Sequence, residues 1–337
     1  MSLTELQGLL GEQGEPSYRA KQLFSWMHQR LAASYEEMTN LPRSLREKLE
    51  SYPLTVLQAE TVQTSMKDGT KKYLFRLGDG CYVESVLMPY SYGNSVCISS
   101  QVGCAMGCRF CASTIGGKER DLLPSEMLDQ IYRIQAETKE RVSHVVVMGS
   151  GEPLDNLENL IRFLDLLGSE EGLHLGMRNV TVSTCGLVPG IRLLAEKKYA
   201  ITLALSLHAP DDEIRKTIMP VAKRYPLDEV LSACAYYFSQ TGRRVTFEYS
   251  LIAGVNDASW MAKKLAGRLK PLQGHVNLIP VNPVAERGYH RTQKPNIELF
   301  KKELEKNGIN VTIRREMGSD IDGACGQLRA RYREKQP

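Results

Sequence analysis

Residues 97–111 read CISSQVGCAMGCRFC, and three of their cysteines, Cys104, Cys108 and Cys111, are spaced C-x3-C-x2-C. Three thiolates this close cannot all pair with one another as disulfides, but they can converge on one metal centre. A tetrahedral zinc site needs a fourth Cys or His, usually in a second short ligand pair. None follows nearby, since the next His is His144 and the next Cys is Cys185. A [4Fe–4S] cluster held by three thiolates leaves one iron without a protein ligand, open to a substrate or cofactor. The incomplete ligand set is the informative feature.

Outward from this loop the chain alternates short apolar strands with helical patterns. The candidate strands are Val96–Ser100, His144–Met148, Asn179–Ser183, Ile201–Leu207, Val245–Leu251 and His275–Pro280, with Asn310–Arg315 as a further edge strand. Between them lie helical stretches such as Pro124–Thr138, where Ser125 reads as the N-cap and Glu126 sits in the first turn. Strand–helix alternation implies a parallel sheet, and six units fit a partial barrel better than a full eight-unit one. The expected fold is therefore α/β, a partial (β/α)6 barrel over 96–315. Residues 1–52 read as a helical accessory region, with Leu23, Trp26 and Met27 along one face and a short helix over Arg43–Leu49. Residues 53–95 alternate apolar and polar positions around turns at Asp68–Gly69 and Gly78–Gly80, as a small antiparallel sheet does. A C-terminal segment, 316–337, completes the chain.

Polar and glycine-rich residues interrupt the sequence near the C-terminal ends of the strands, where parallel barrels bind their ligands. Gly149 and Gly151 would let backbone approach a ligand, and Glu152 can accept from an ammonium group. Ser183 and Ser206 offer hydroxyl donors, and Asn282 both donates and accepts. His208 reads equally as a satisfied structural histidine or a ligand contact. Cys81, Cys185 and Cys234 read as packing residues.

Composition sets outer bounds. A chain of 337 residues with 42% hydrophobic content can bury a sizeable core, and its apolar runs, VVVMG and ITLALSL, are strand-length, far short of a bilayer span. The N-terminal stretch shows no basic region followed by an apolar core, so no secretion signal is expected. Eight cysteines without an export signal point to a reducing, cytoplasmic setting and to chemistry over a disulfide scaffold. A net charge of +4 permits an RNA partner without demanding one. Basic clusters at Lys71–Lys72, Arg243–Arg244, Arg314–Arg315 and Arg329–Lys335 read equally as solvated surface or phosphate contacts. No membrane partner is expected, and a monomer is.

The cysteine spacing, with Phe110 before the last cysteine, resembles the cluster loop of radical S-adenosylmethionine (SAM) enzymes. CISSQVGC from Cys97, GEPLDN from Gly151, SLHAPDDEIR from Ser206, VNLIPVNP from Val276 and GSDIDGACGQLR from Gly318 together resemble one subgroup. These are the RNA adenine C2-methyltransferases of 23S rRNA, many of which also modify tRNA. The resemblance covers nearly the whole chain and implies a [4Fe–4S] cluster on Cys104, Cys108 and Cys111. It also implies SAM contacts at Gly151, Glu152, Ser183, Ser206, Leu207, His208 and Asn282. Adenine C2 is an electron-poor carbon that cannot simply attack a methyl group, and the resemblance implies an indirect route. Cys325 would take a methyl from one SAM, and a second SAM, cleaved at the cluster, would supply the radical that removes a hydrogen from it. The methylene would join C2, Glu84 would take the C2 proton, and Cys97 would release the product through a transient Cys97–Cys325 disulfide. An unidentified electron donor is implied. Ser150 stands where relatives often carry Met, and Cys185 where Ser is common. Two alternatives remain at this point: the C8-methylating resistance relative, and a zinc-stabilised RNA-binding module without catalysis.

Overall fold

The computed structural model describes residues 1–52, 54–282, 284–321 and 326–334. Its centre is a ten-stranded sheet built from β1 Gln58–Thr64, β2 Lys71–Arg76, β3 Tyr82–Tyr90, β4 Gly93–Ile98, β7 Val142–Val147, β8 Val180–Thr184, β9 Thr202–Ser206, β10 Thr246–Leu251, β11 His275–Pro280 and β12 Asn310–Ile313, in that spatial order. From β4 to β12 all pairings are parallel; β1 to β4 pair antiparallel. The antiparallel strands expected over 53–95 thus continue the parallel sheet through the β3–β4 pairing. A separate two-stranded sheet, β5 Gln101–Gly103 with β6 Lys118–Asp121, closes the base of the cysteine loop.

Side-chain parity decides what each face of the sheet does. Val96, Ile98, Val145, Val147, Val180, Val182, Leu203, Leu205, Phe247 and Leu251 point to one face and join the main core. They pack under α4 Pro124–Thr138, α5 Leu157–Gly168, α6 Val188–Lys197, α8 Leu227–Thr241, α9 Ser259–Leu269 and α10 Lys294–Lys306. Full burial of each such side chain is worth about 1.5–3 kcal/mol, so this face carries the fold. The opposite parity holds Glu84, Val86, Met88, Cys97, Val146, Ser183, Ser206, Glu248 and Ser250, a mixed set that a core would not choose. Its only apolar cluster among the described residues is small: Val86, Met88 and Cys97, with Val146, Met148 and Met317 against them.

Three helices precede the sheet: α1 Leu3–Glu12, α2 Ser17–His28 and α3 Arg43–Leu49. They are fastened to the barrel helices by His28 Nδ1 and Tyr132 OH at 2.7 Å, by Arg133 donating to Leu31 O at 3.0 Å, and by Leu57 N–H donating to Asp129 at 2.6 Å. A cavity of about 210 Å³ remains between them, lined by Leu6, Leu23, Met27, Leu49, Leu128 and Leu166 among others. The last two helices are α7 Asp212–Ile218 and α11 Gln327–Glu334. No described helix is long and apolar enough to cross a membrane.

Several expectations are corrected. α4 starts one residue before Ser125: Pro124 takes the first helical position, where its missing N–H costs nothing, and Leu123 is the cap residue. Glu126 is in the first turn as expected, accepting from Leu123 N–H at 2.8 Å. Lys72 is fully buried and Arg329 nearly so, paired with Glu84 and Glu119 respectively. Neither belongs to a solvated basic cluster. Both faces of β2 are covered, so alternation there could not reveal which lysine was inside.

Candidate active site

The loop after β4 is held in place before any ligand is considered. Gln101 accepts from Glu152 N–H at 2.8 Å and donates to Asp121 and Asp155 at 2.7 and 2.9 Å. Asn156 donates to Ser100 O and Leu122 O. Cys104 N–H bonds Gly117 O, Cys111 N–H bonds Cys108 O, and Thr114 Oγ1 donates to the carbonyls of Cys108 and Cys111. Cys104 and Cys108 are buried and Cys111 is partly exposed.

No three His, Cys, Asp or Glu side chains among the described residues are gathered to hold a metal ion. A four-iron cluster is a larger body than an ion, and its ligands stand further apart. The donor set suits it: three cysteines outside any disulfide on one anchored loop, in surroundings shared with Met106, Phe110, Ile218 and Met219. Burial pushes the Cys104 thiol up to about 12 and Cys108 higher still, with Cys111 adding to both. Deprotonating such thiols calls for a cationic metal centre, which soft thiolates bind by releasing their protons.

The Gly149–Glu152 turn meets this loop directly. A Cβ on Gly149 would sit 2.7 Å from Ile98 C and O, and one on Gly151, at φ +108°, would sit 2.6–2.7 Å from Gln101 and Ser100. These glycines permit contact between two backbone segments, where close approach to a ligand was expected. Glu152 is buried and accepts from Leu154 N–H at 3.1 Å and Cys185 N–H at 2.8 Å. Burial raises its pKa, with those hydrogen bonds opposing. The Cys185 thiol and the Thr184 hydroxyl also hydrogen-bond to it.

Ser183 and Ser206 stand half-buried at the ends of β8 and β9, and Leu207 is fully buried. His208 takes up φ +55°, unusual for a side chain with a Cβ. Its carbonyl accepts from Asn256, its Nδ1 accepts from Ser250 N–H at 2.9 Å, and its ring meets Phe110 edge-on at 4.9 Å. Accepting at Nδ1 places the ring proton on Nε2, and burial lowers the pKa to about 3, so the imidazole is neutral. His208 thus has its Nδ1 satisfied and its ring set against the cysteine loop.

A cleft of about 400 Å³ gathers Cys97, Phe110, Cys111, Ser250, Asn282 and Gln327, with Arg291, Arg314, Arg315 and Glu316 also in its lining. Gly151, Glu152, Ser183, Ser206, Leu207 and His208 are not among its lining residues. Cys97 is buried beside Val86 and Met88.

Glu84, which alternation alone would place on the surface, is buried on β3. Its oxygens accept from Gly326 N–H and Arg329 N–H, each at 2.6 Å, and from Lys72 Nζ at 2.9 Å. Glu84 thereby caps the start of α11, where a carboxylate also complements the helix dipole. Gly326 lies so close to the cysteine loop that a Cβ would meet Ser113 N at 2.6 Å. On the other flank, Gly318 N–H bonds Asp68 at 2.9 Å, and Asp320 accepts from Ser65 and Met66. Cys325 lies outside the described residues, as do Lys335 and the side chains of Arg331 and Arg333; the two segments that flank Cys325 are each fastened to the sheet. Sequence reasoning missed Lys72, Asn256 and Arg215, each buried and each bonding a segment that carries a candidate residue.

Residues 98–265 match the family model of the Radical SAM superfamily, and residues 1–53 match the Ribosomal RNA large subunit methyltransferase N-terminal domain. A protein of Lachnospira eligens, described as a probable dual-specificity RNA methyltransferase RlmN, is 60% identical over 99% of this chain and 96% of its own length. One of Lachnoclostridium phytofermentans with the same description is 58% identical over 99% and 94%. The crystal structure of a radical SAM methyltransferase from Sphaerobacter thermophilus superposes with TM-score 0.93 at 44% identity, covering 97% of both chains.

Proposed function

Since the chain belongs to the RlmN family of radical-SAM RNA methyltransferases, we propose that it methylates C2 of an adenosine in 23S rRNA and of an adenosine in tRNA. Its cofactors are a [4Fe–4S] cluster and SAM. In this reading Cys104, Cys108 and Cys111 hold the cluster, while Gly151, Glu152, Ser183, Ser206, Leu207, His208 and Asn282 bind SAM. When bound, the pair supplies a 5′-deoxyadenosyl radical able to take a hydrogen from a methyl group on Cys325.

The chain's own residues do the rest. Cys325 accepts the methyl on sulfur and presents it to the base. Glu84 receives the C2 proton, and the unpaired electron left on the adduct passes to an external one-electron acceptor; three Glu84 lone pairs hold Gly326, Arg329 and Lys72, and one remains for that proton. The Cys97 thiolate attacks the Cys325 sulfur, an S–S bond forms as the carbon–sulfur bond breaks, and the freed electron pair takes a proton to complete the new methyl group. The exposed Arg314 and Arg315 suit phosphate contacts beside the cleft, so RNA binding should weaken as salt rises.

The observation that carries this reading is that Cys97, Cys111 and Asn282 share one cleft while Glu84 grips the residue that follows Cys325. The test uses reconstituted enzyme, a reductant, SAM with a trideuterated methyl, and protein-free 23S rRNA or tRNA, followed by nucleoside mass spectrometry. The expected product is adenine methylated at C2 with two deuteriums kept. A trideuterated product sinks the Cys325 route. Methylation at C8 reassigns the regiochemistry, and an unmodified tRNA removes the second substrate.

A further inference from the structure

Arg215 lies on α7, and its side chain is fully buried. No carboxylate among the described residues forms an ion pair with it. Its guanidinium donates to three main-chain carbonyls: Cys185 O at 2.6 Å, Leu207 O at 3.3 Å and Tyr225 O at 3.4 Å. Taking a charge out of water is costly, and neutral carbonyls offset that cost only in part. Such a charge acts strongly on whatever lies near it, because little water intervenes to screen it.

What lies near it is the cysteine loop. Arg109 N–H donates to Ile218 O, at the end of the helix that bears Arg215, at 2.9 Å. Ile218 and Met219 pack with Cys108 and Cys185 in one apolar cluster, and Gly107 abuts Pro220. The Cys185 peptide stands between opposite charges: its N–H bonds Glu152 and its carbonyl bonds Arg215. Cys108 and Cys185 both lie within reach of the Arg215 charge.

We propose that Arg215 is a positioning residue that acts through its charge, which is fixed in place and favours one-electron reduction of the cluster held by Cys104, Cys108 and Cys111. The inference rests on the reading of those cysteines as cluster ligands. The electron comes from an external low-potential one-electron donor; Arg215 keeps its proton and changes no bond. Its hydrogen bonds also join the ends of β8 and β9, so a purely structural role must be separated from the charge.

The experiment is a mediated dithionite titration of anaerobically reconstituted protein, followed by electron paramagnetic resonance, with iron and sulfide measured on each sample. Arg215→Gln and Arg215→Met remove the charge, and Arg215→Lys keeps it. Both neutral variants are expected to lower the equilibrium constant for reduction roughly tenfold, about 59 mV for one electron. The lysine variant should stay within about twofold of the parent. An unshifted potential in a fully loaded neutral variant overturns the proposal. So does a lysine variant shifted as far as the neutral ones, since geometry and not charge would then be responsible. If neither neutral variant folds with its cluster, Asp212→Asn takes their place. It removes a carboxylate that acts on Arg215 from the start of the same helix, and should favour reduction about twofold. No shift, or the opposite sign, overturns the proposal there. Cys108→Ala is the separate check on the ligands: full iron and sulfide in that variant sinks the cluster reading, whatever Arg215 does.

Discussion

Glu84 and Glu152 are both buried, and each carboxylate accepts two backbone N–H groups, yet their charges are balanced differently. Glu84 has a fully buried lysine at 2.9 Å. Glu152 has no basic side chain in ion-pair contact among the described residues; only the Cys185 peptide lies between it and Arg215. The first charge is neutralised within the fold by a cation; the second is held by hydrogen bonds alone. Distance is not what sets the worth of the Glu84 pair. Arg43 and Glu47 are just as close, at 2.8 Å, but exposed, and such pairs are worth about 0.3–0.5 kcal/mol.

The largest effect should come from breaking the buried pair. Glu84→Gln takes from the buried Lys72 the carboxylate at 2.9 Å and removes one oxygen from the α11 cap, a loss of about 3–5 kcal/mol by urea unfolding. Lys72→Met combined with Glu84→Gln should recover most of that stability. Turnover should stay low in the double variant, and a covalent protein–RNA adduct should accumulate. Stability and turnover rising together would make Glu84 a structural residue only.

Asp129 extends the comparison to a carboxylate with mixed support, one backbone N–H and Arg133 at 3.1 Å. Burial pushes its pKa up to about 6, with Arg133 pulling the other way. A raised carboxyl pKa contributes stability that is complete below the unfolded value of 3.8 and is lost as pH rises through 6. Relative to Asp129→Asn, the parent should therefore lose on the order of 2–3 kcal/mol between pH 4 and pH 7. Parallel stability curves for the two proteins would show that Arg133 offsets the burial entirely.

Glu152→Gln should have the smallest effect on the fold. It turns one oxygen into a donor facing a backbone N–H, at about 1 kcal/mol, while relieving a buried charge. SAM affinity should fall by about tenfold or more, read by equilibrium binding, because a charge-assisted hydrogen bond is lost. Unchanged affinity would remove Glu152 from the SAM site.

Much of the fold was legible because parallel strands leave short apolar runs between helices. Six of the strands and the short edge strand fall within a few residues of their expected positions, and α3 matches Arg43–Leu49. The cysteine loop was legible from spacing alone. What alternation could not reveal was Glu84 and Lys72, because α11, remote in sequence, covers the face of β3 that a period of two would leave to solvent. Arg215 was hidden for a related reason: an arginine in a polar run reads as surface, and only the packing of α7 against the loop buries it. The glycines at 149 and 151 were rightly marked as places of close approach, but what approaches them is the β4 end of the chain's own backbone.

The cavity of about 210 Å³ beneath the N-terminal helices carries a mechanical consequence. Void volume is what hydrostatic pressure acts against, since a state that floods the void occupies less total volume. The barrel's apolar face is sealed by helices along its length, whereas this joint, though its side chains run into the same core, is left incompletely filled around the cavity. Compression should therefore admit water between α2 and α4 first. The N-terminal helices would loosen from the barrel at pressures that leave the sheet intact.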